Sequence, residues 1–157
     1  MTRNFSLDEF VASSTAVAKG ISNNLPSILE ANALRALDMM QKIRDHLSAI
    51  KGRDIPVTIT SGYRSPALNR AVGGVPSSDH VLACAVDFRA PDFGSPLQIA
   101  TELSGYVQEL GIGQLINEHP EQGNQGWVHV SCKPQTLSAN RIITITAKGT
   151  TSGVHAA

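Results

Sequence analysis

The sequence predicts a single α+β domain in which a small antiparallel sheet packs against helices. In the first third of the chain, one long segment has apolar residues at three- and four-residue steps, which is typical of an amphipathic helix. The rest holds several short β-branched runs separated by loops with glycine and proline. No repeat or linker divides the 157 residues, a length that suits one domain. We expect one domain over 1–157, with a helical part (about 1–52), a sheet-bearing core (about 55–133) and a C-terminal strand and tail (about 134–157).

Four helices are predicted in order along the chain. Ser6 is a suitable N-cap for a short helix, because acidic residues follow it in the first turn. The long helix covers about 26–49 and ends at Gly52. A helix of one or two turns is expected over 67–72, and the spacing of apolar residues predicts another over 97–110, stopped by Gly111.

Five strands are predicted from apolar and β-branched runs. They cover about 55–60, 83–88, 114–117, 127–132 and 141–147, and a hairpin loop joins the third to the fourth. From Gly149 onward the composition is typical of a frayed tail.

Composition and charge exclude several classes of partner. Thirteen basic residues balance thirteen acidic ones without runs, so the chain has no electrostatic footprint for nucleic acid. No apolar run approaches the roughly 18 residues of a membrane helix, so membrane insertion is not expected. The first residues lack the apolar stretch of a secretory signal, which predicts synthesis in the cytoplasm without a signal peptide. We expect a monomer.

Three residues have side chains suited to holding a metal ion. His80 follows a serine-rich loop, while Asp87 and His129 each lie within an apolar strand-like run. Burying a charged carboxylate there is costly unless a partner compensates it. Two imidazoles and one carboxylate form a standard catalytic zinc set with an open fourth position. From the spacing alone, the alternative that Asp87 merely pairs with Arg64 or Arg89 stays open and is favoured over a metal site.

Several motifs in the same order resemble the zinc D-alanyl-D-alanine carboxypeptidase family. This family includes phage endolysins and bacterial cell-wall peptidases with the hedgehog/D-Ala-D-Ala peptidase fold. The resemblance covers about 4–133. The motifs that carry it are 61–69 (SGYRSPALN), 72–74 (VGG), 78–80 (SDH), 85–87 (AVD) and 127–131 (WVHVS).

The resemblance implies roles for individual residues. His80, Asp87 and His129 stand where the family has its Zn²⁺ ligands, which makes 55–133 the zinc-site core. Arg64 stands where the family has an arginine that engages the substrate, and its planar guanidinium suits a peptide carboxylate or carbonyl. Ser78 is similar to a serine that lines the family's site, although a loop hydroxyl that caps backbone N–H groups is an equal alternative. Trp127 is expected to contact substrate.

The sequence departs from the family pattern at the catalytic carboxylate. Many relatives carry it three residues before the last histidine ligand, where this chain has Gly126. Glu118 is the predicted replacement, because it ends the strand that would pair with the strand carrying His129. Glu121 is the fallback. His119 could act on the oxyanion or be exposed to solvent, and exposure is favoured.

Cys84 stands at a second departure, where the family usually has glycine. Strand alternation places Cys84 with Val86 and Phe88 on the face opposite Asp87, and places Cys132 behind the face of His129. Two buried free thiols are favoured over a disulfide bridge, which remains open if the strands adjoin.

The resemblance implies a zinc-dependent peptidase that cleaves an amide bond in the stem peptide or cross-link of peptidoglycan. The D,D-carboxypeptidase, D,D-endopeptidase and L-alanyl-D-glutamate endopeptidase types all remain open. Without a signal peptide, a phage endolysin that reaches the host periplasm and cell wall after membrane permeabilisation is favoured. The alternatives are a non-catalytic wall- or metal-binding module of the same fold and a cytosolic D-Ala–D-Ala dipeptidase.

Overall fold

A computed structural model describes residues 2–157. Two short helices, α1 (Leu7–Val11) and α2 (Ser14–Lys19), precede the long helix α3 (Glu30–Lys51). The predicted caps are confirmed, since the Ser6 hydroxyl accepts a hydrogen bond from the Glu9 backbone N–H and Gly52 ends α3 in a left-handed conformation. The first turn of the predicted long helix is instead a 3-10 turn, Ser27–Leu29.

The sheet has six strands in the order β1-β2-β4-β3-β5-β6. Its strands are β1 (Thr58–Ser61), β2 (Ala85–Arg89), β3 (Gln114–Glu118), β4 (Trp127–Ser131), β5 (Ile142–Thr146) and β6 (Gly149–Ser152). All neighbours are antiparallel except β3 and β5, which are parallel. The predicted α+β class is therefore confirmed, with a mostly antiparallel sheet. Two further helices are α4 (Pro66–Ala71) and α5 (Pro96–Ser104).

The buried core lies between one face of the sheet and the helices. Its members come from α3, α5 and alternate positions of β2, β3 and β4, and include Ile43, Leu47, Ile99, Leu103, Phe88, Leu115 and Val130. Because side chains alternate across a strand, the intervening residues of β2, β3 and β4 face away from this core. That second face carries Asp87, His129 and Glu118.

Helix α5 is shorter than the apolar spacing predicted. It ends at Ser104 with Gly105 as its C-cap, and residues 106–111 form turns in which the backbone N–H of Leu110 donates to the carbonyl of Tyr106. Leu110 is still buried, so its apolar side chain serves the core from a turn. The predicted boundary was wrong because apolar spacing reports burial as well as helix continuation.

The predicted frayed tail was also wrong. Residues from Gly149 form β6, which pairs with β5 in antiparallel register. Beyond it, the Thr144 hydroxyl donates to the Gly153 carbonyl at 2.7 Å and the Asn117 amide donates to the His155 carbonyl at 3.0 Å. Asn117 and Thr144 are fully buried, so the C-terminal segment satisfies polar groups that would otherwise be costly to bury.

Both cysteines are free thiols, as favoured from the sequence. Cys84 is buried and Cys132 is half-buried, and the Cys132 N–H donates to the Cys84 carbonyl at 2.9 Å. None of the helices formed by residues 2–157 is long and apolar enough to cross a membrane.

Candidate active site

The second face of the sheet forms the floor of a cavity of about 530 Å³. Its lining includes Arg64, Ser78, His80, Asp87, Glu118, Trp127 and His129, the residues of the predicted site, but not the fallback base Glu121. Residues 72–75 and 77–79 close one side, and Gln135 and Ile145 close another. The structure thus brings together residues that are up to 65 positions apart in the sequence.

Three buried side chains converge on the cavity floor. Strand register sets Asp87 of β2 directly opposite His129 of β4. His80 approaches from the loop before β2, and one ligand atom from each of the three residues lies within 4.8 Å of the others. Asp87 Oδ1 lies 3.2 Å from His80 Nε2 and 2.8 Å from His129 Nδ1. Three donors around one small volume fit the ligand set of a catalytic zinc ion.

Hydrogen bonds outside this group fix which atoms face inward. His80 Nδ1 lies 2.7 Å from the Gly62 carbonyl, so its N–H is used there and Nε2 is left to face Asp87 and His129. A backbone carbonyl on the far nitrogen is the usual way that a metal-binding histidine is oriented. The Gly62 position has no room for a side chain, because a Cβ would collide with the Phe10 carbonyl. Helix α1 therefore helps to hold the loop that orients His80.

Arg64 binds the second oxygen of the Asp87 carboxylate. Its Nη2 donates to Asp87 Oδ2 at 3.2 Å, and its Nε donates to the Ser61 hydroxyl at 3.0 Å. The pairing of Asp87 with Arg64 therefore exists alongside the histidine cluster, whereas Arg89 donates to the Gln125 and Gly126 carbonyls instead. Because Arg64 takes Oδ2, Oδ1 is left to the two imidazoles.

Electrostatics favours the charged form of Asp87. Complete burial opposes ionisation, but the neighbouring His80 and His129 rings outweigh it and hold the pKa of Asp87 well below its usual range. Burial likewise opposes protonation of His129, yet the Asp87 carboxylate raises the pKa of that imidazole. The carboxylate of Asp87 thus favours a positive charge between the two imidazoles, as it would favour a metal cation.

Glu118 lies on the same face at the end of β3. Strand register places Ile116 opposite His129 and Glu118 opposite Trp127, so Glu118 is a diagonal neighbour of His129. Its carboxylate is half-buried. Burial is the largest influence and raises the pKa of Glu118 above its ordinary value.

The structure explains why Gly126 carries no carboxylate. A Cβ at this position would lie 2.7 Å from the Glu118 carbonyl oxygen and 2.7 Å from the His119 carbonyl oxygen. That separation is too short for a side chain without movement of the backbone. The backbone carbonyls of Glu118 and His119 therefore fill the space in which the usual family carboxylate would begin.

Ser78 and Trp127 line the cavity. The Ser78 hydroxyl also accepts a hydrogen bond from the His80 N–H at 3.3 Å, which is the capping alternative considered from the sequence. The half-buried Trp127 indole lies 5.3 Å, centroid to centroid, from the His119 ring.

Sequence reasoning underestimated two residues beside the cavity. His119 is half-buried in the cavity wall rather than freely exposed, and its Nδ1 lies 2.8 Å from Glu121 Oε1. Asn69 is buried and holds the 72–78 loop, since its amide donates to the Val75 carbonyl at 2.8 Å. Position 69 lies in a motif that the sequence analysis singled out, but the partner of its amide depends on the loop path.

A two-histidine, one-carboxylate cluster on the floor of a cavity, with a glutamate on its wall, fits the catalytic site of the class of zinc-dependent hydrolases. The sequence pattern of the peptidase M15 family matches residues 3–131, which include the three ligand candidates and Glu118. The chain belongs to this family of zinc-dependent metallopeptidases, which act on peptidoglycan. A comparison with curated proteins finds no match.

Proposed function

We propose that this protein hydrolyses an amide bond in the peptide part of peptidoglycan, with His80, Asp87 and His129 as zinc ligands and Glu118 as the general base. The observation that carries this proposal is a single cavity with the three buried ligand candidates on its floor and Glu118 on its wall. A zinc ion held by these residues would polarise the scissile carbonyl and lower the pKa of a water molecule.

The proposed role of Glu118 is to move protons during hydrolysis. As a carboxylate it accepts a proton from the attacking water, and as a carboxylic acid it returns that proton to the leaving amine. Burial raises its pKa, which makes it a better proton acceptor than a fully solvated glutamate. Glu121 is less suited, because its Oε1 already accepts hydrogen bonds from His119 and from the Ala147 N–H.

The other cavity residues bind and orient the peptide. Arg64 offers a fixed positive charge to a substrate carboxylate or carbonyl while it holds Asp87 in place. Trp127 offers an apolar ring surface to a small side chain such as that of alanine. Ser78 lines the cavity while its hydroxyl holds the His80 backbone.

The proposed biological role is that of a phage endolysin that acts as a monomer on the host cell wall. The resemblance of motifs 61–69 and 127–131 to a family that includes phage endolysins supports this role. The expected sign is a fall in turbidity when the protein is added to Gram-negative cells with permeabilised outer membranes. Turbidity that stays constant while isolated muropeptides are cut would exclude lysis and retain the peptidase.

The experiment that tests the proposal is mass spectrometry of muropeptides incubated with the zinc-loaded protein. Monomeric muropeptides, cross-linked muropeptides and free D-Ala–D-Ala are offered separately, each with a matched sample in a zinc chelator. We expect cleavage of at least one muropeptide that stops in chelator and returns when zinc is restored, and the fragment masses identify the bond. Cleavage of the dipeptide alone would indicate a cytosolic dipeptidase. No cleavage of any of the three would indicate a non-catalytic module.

A further inference from the structure

His119 and Glu121 form a pair beside Trp127 at the rim of the cavity, and the proposed chemistry assigns no role to either member of this pair. His119 Nδ1 lies 2.8 Å from Glu121 Oε1, and the His119 ring packs at 45° against the Trp127 indole. Glu121 Oε1 also accepts from the Ala147 N–H at 3.0 Å, which ties the pair to the loop after β5. The imidazole is thus held on one nitrogen and on one ring face.

The backbone of His119 is strained in a way that fixes the ring position. Its φ of 54° and ψ of 52° are left-handed, a conformation that costs a residue other than glycine on the order of 1 kcal/mol or more. Ala83 is the other non-glycine residue with positive φ among residues 2–157. A residue keeps such a conformation only when the surrounding contacts enforce it. Residues of this kind are found most often at ligand-binding and active sites.

The free nitrogen of this ring is available to a ligand. Because the Glu121 carboxylate can only accept, His119 Nδ1 carries the proton of that hydrogen bond. Nε2 lies on the opposite edge of the ring and has no hydrogen-bond partner among residues 2–157, and the ring lines the cavity. An oriented imidazole with one nitrogen free is a ready hydrogen-bonding group for a peptide.

The sheet places His119 and Arg64 at opposite corners of the cavity. Arg64 follows β1 and His119 follows β3, while β2 and β4, which carry Asp87 and His129, lie between them. From β1 to β3 there are three strand spacings, which give a distance of roughly 14 Å across the sheet. That is the length of about four extended residues, so one peptide can reach both corners across the ligand cluster.

We propose that His119 is a substrate-binding residue whose Nε2 hydrogen-bonds the stem peptide on the side of the scissile bond opposite the part that Arg64 binds. Glu121 is a positioning residue that acts through His119. This inference rests on the proposed peptidase function and adds to it the second anchor of the substrate.

The matched variants are His119→Asn and His119→Gln. Asparagine tolerates the left-handed backbone, and its amide can replace Nδ1–H as the donor to Glu121, but it has no group at the place of Nε2. Glutamine reaches the place of Nε2. We expect His119→Asn to keep the melting temperature and zinc affinity while kcat/KM for muropeptides falls about tenfold, mostly through KM. His119→Gln recovers part of that loss.

Substrate truncation tests the proposed side of the contact. We shorten the muropeptide at one end and then at the other, and measure kcat/KM for the wild type, His119→Asn and Arg64→Lys. Removing the end that His119 binds should make kcat/KM of His119→Asn equal to that of the wild type. Removing the opposite end should instead make kcat/KM of Arg64→Lys equal to that of the wild type. If one truncation abolishes both differences, the two residues bind the same side and the proposal is overturned.

A binding measurement separates this inference from the proposed function. Zinc-loaded Glu118→Gln protein with ¹⁵N-labelled histidine is titrated with the uncut muropeptide, and the imidazole resonances of His119 are followed. The expected result is a shift of Nε2 while Nδ1 remains close to its starting position. If muropeptides are cut by the wild type but Nε2 does not shift and His119→Asn is fully active, the inference alone fails. If no muropeptide binds or is cut, both fail together.

Discussion

The two halves of the cavity are built differently. The inner half, which consists of His80, Asp87 and His129, is buried and lies on or beside the central strands β2 and β4. The outer half consists of Glu118, His119 and Trp127, with Glu121 bonded to His119 outside the lining, and it lies where β3 and β4 meet the turn between them. Its residues are half-buried or exposed.

This difference corresponds to two proposed tasks: the inner half binds the metal ion, and the outer half contacts the substrate. Buried donors on paired strands keep their positions through strand register and through hydrogen bonds to Arg64 and Gly62. A turn of backbone can change its path without disturbing that register. Gly126 leaves no room for a side chain, while Glu118, the base that we propose, faces the same cavity.

The largest expected effect is at the inner half. His80→Ala removes one of three ligand atoms, so we expect zinc affinity to fall by at least about a hundredfold and muropeptide cleavage to disappear. Competition with a chromogenic chelator measures the affinity. The matched control is His46→Ala, because His46 pairs with Glu102 on helices remote from the cavity. Unchanged zinc affinity in His80→Ala would remove this residue from the ligand set.

The next largest effect is expected at Glu118 and distinguishes the outer half of the cavity from the inner half. Glu118→Gln keeps the size of the side chain but cannot accept a proton, so we expect turnover to fall by about 10²- to 10⁴-fold. Zinc affinity should stay close to that of the wild type, because the ligand set is untouched. Timed assays of muropeptide cleavage measure the turnover, and a zinc titration measures the affinity. Full activity in Glu118→Gln would transfer the role of the base to Glu121 or to His119.

A smaller effect is expected from the turn of the outer half. In Gly126→Ala the new Cβ meets the carbonyl oxygens of Glu118 and His119, so the turn must move. We expect the free energy of unfolding to fall by about 1–3 kcal/mol. The rate of cleavage should also fall, while zinc affinity is retained.

The control for that variant is Gly105→Ala. Its φ is −82°, and the nearest atom to a new Cβ is the Glu102 carbonyl oxygen at 3.9 Å, so alanine fits there without strain. Chemical denaturation of both variants gives the comparison. Equal stability of the two would show that residues 120–125 adapt freely, and the structural account of the missing carboxylate would then be wrong.

The inner half was predicted from the sequence by a local signal at Asp87 together with the family resemblance, which implied the ligand roles of His80, Asp87 and His129. A charged Asp87 in an apolar run needs a partner, and two-residue alternation assigns the face of each strand residue without knowledge of the fold. The same rule correctly placed Cys84, Val86 and Phe88 away from the site. The prediction of Glu118 followed from the resemblance and from the expected pairing of its strand with the strand of His129, a pairing that the structure shows between β3 and β4.

The rest depends on tertiary contacts that leave no local pattern. The left-handed His119 and its bond to Glu121 arise from the path of a turn whose residues are mostly polar. The C-terminal strand was missed because β6 is exposed along its length, so it has no buried face to give alternating hydrophobicity. The polar Asn117 and Thr144 that fix the segment after it are buried inside strands.

The smallest expected effect measures how close the outer half lies to the ion. In the metal-free protein, burial raises the pKa of Glu118 above its ordinary value of 4.5. As the pH falls, its carboxylate should therefore take up a proton at a higher pH than a solvated glutamate does. A divalent cation in the inner half favours the charged carboxylate, which lowers that pKa. Glu118 should therefore stay ionised in the zinc-loaded protein down to the pH at which the ligands are protonated and zinc is released.

The carboxyl ¹³C shift of Glu118, followed against pH in both forms, tests this prediction. Activity is the poorer readout, since acid removes zinc as well as protonating the base. Glu109 is a suitable internal reference, because it is exposed and does not line the cavity. Equal midpoints for Glu118 in the two forms would mean that its carboxylate lies too far from the ligand cluster to act on a water molecule there. The cavity would then hold an ion and a glutamate that work independently, even if Glu118→Gln weakened substrate binding.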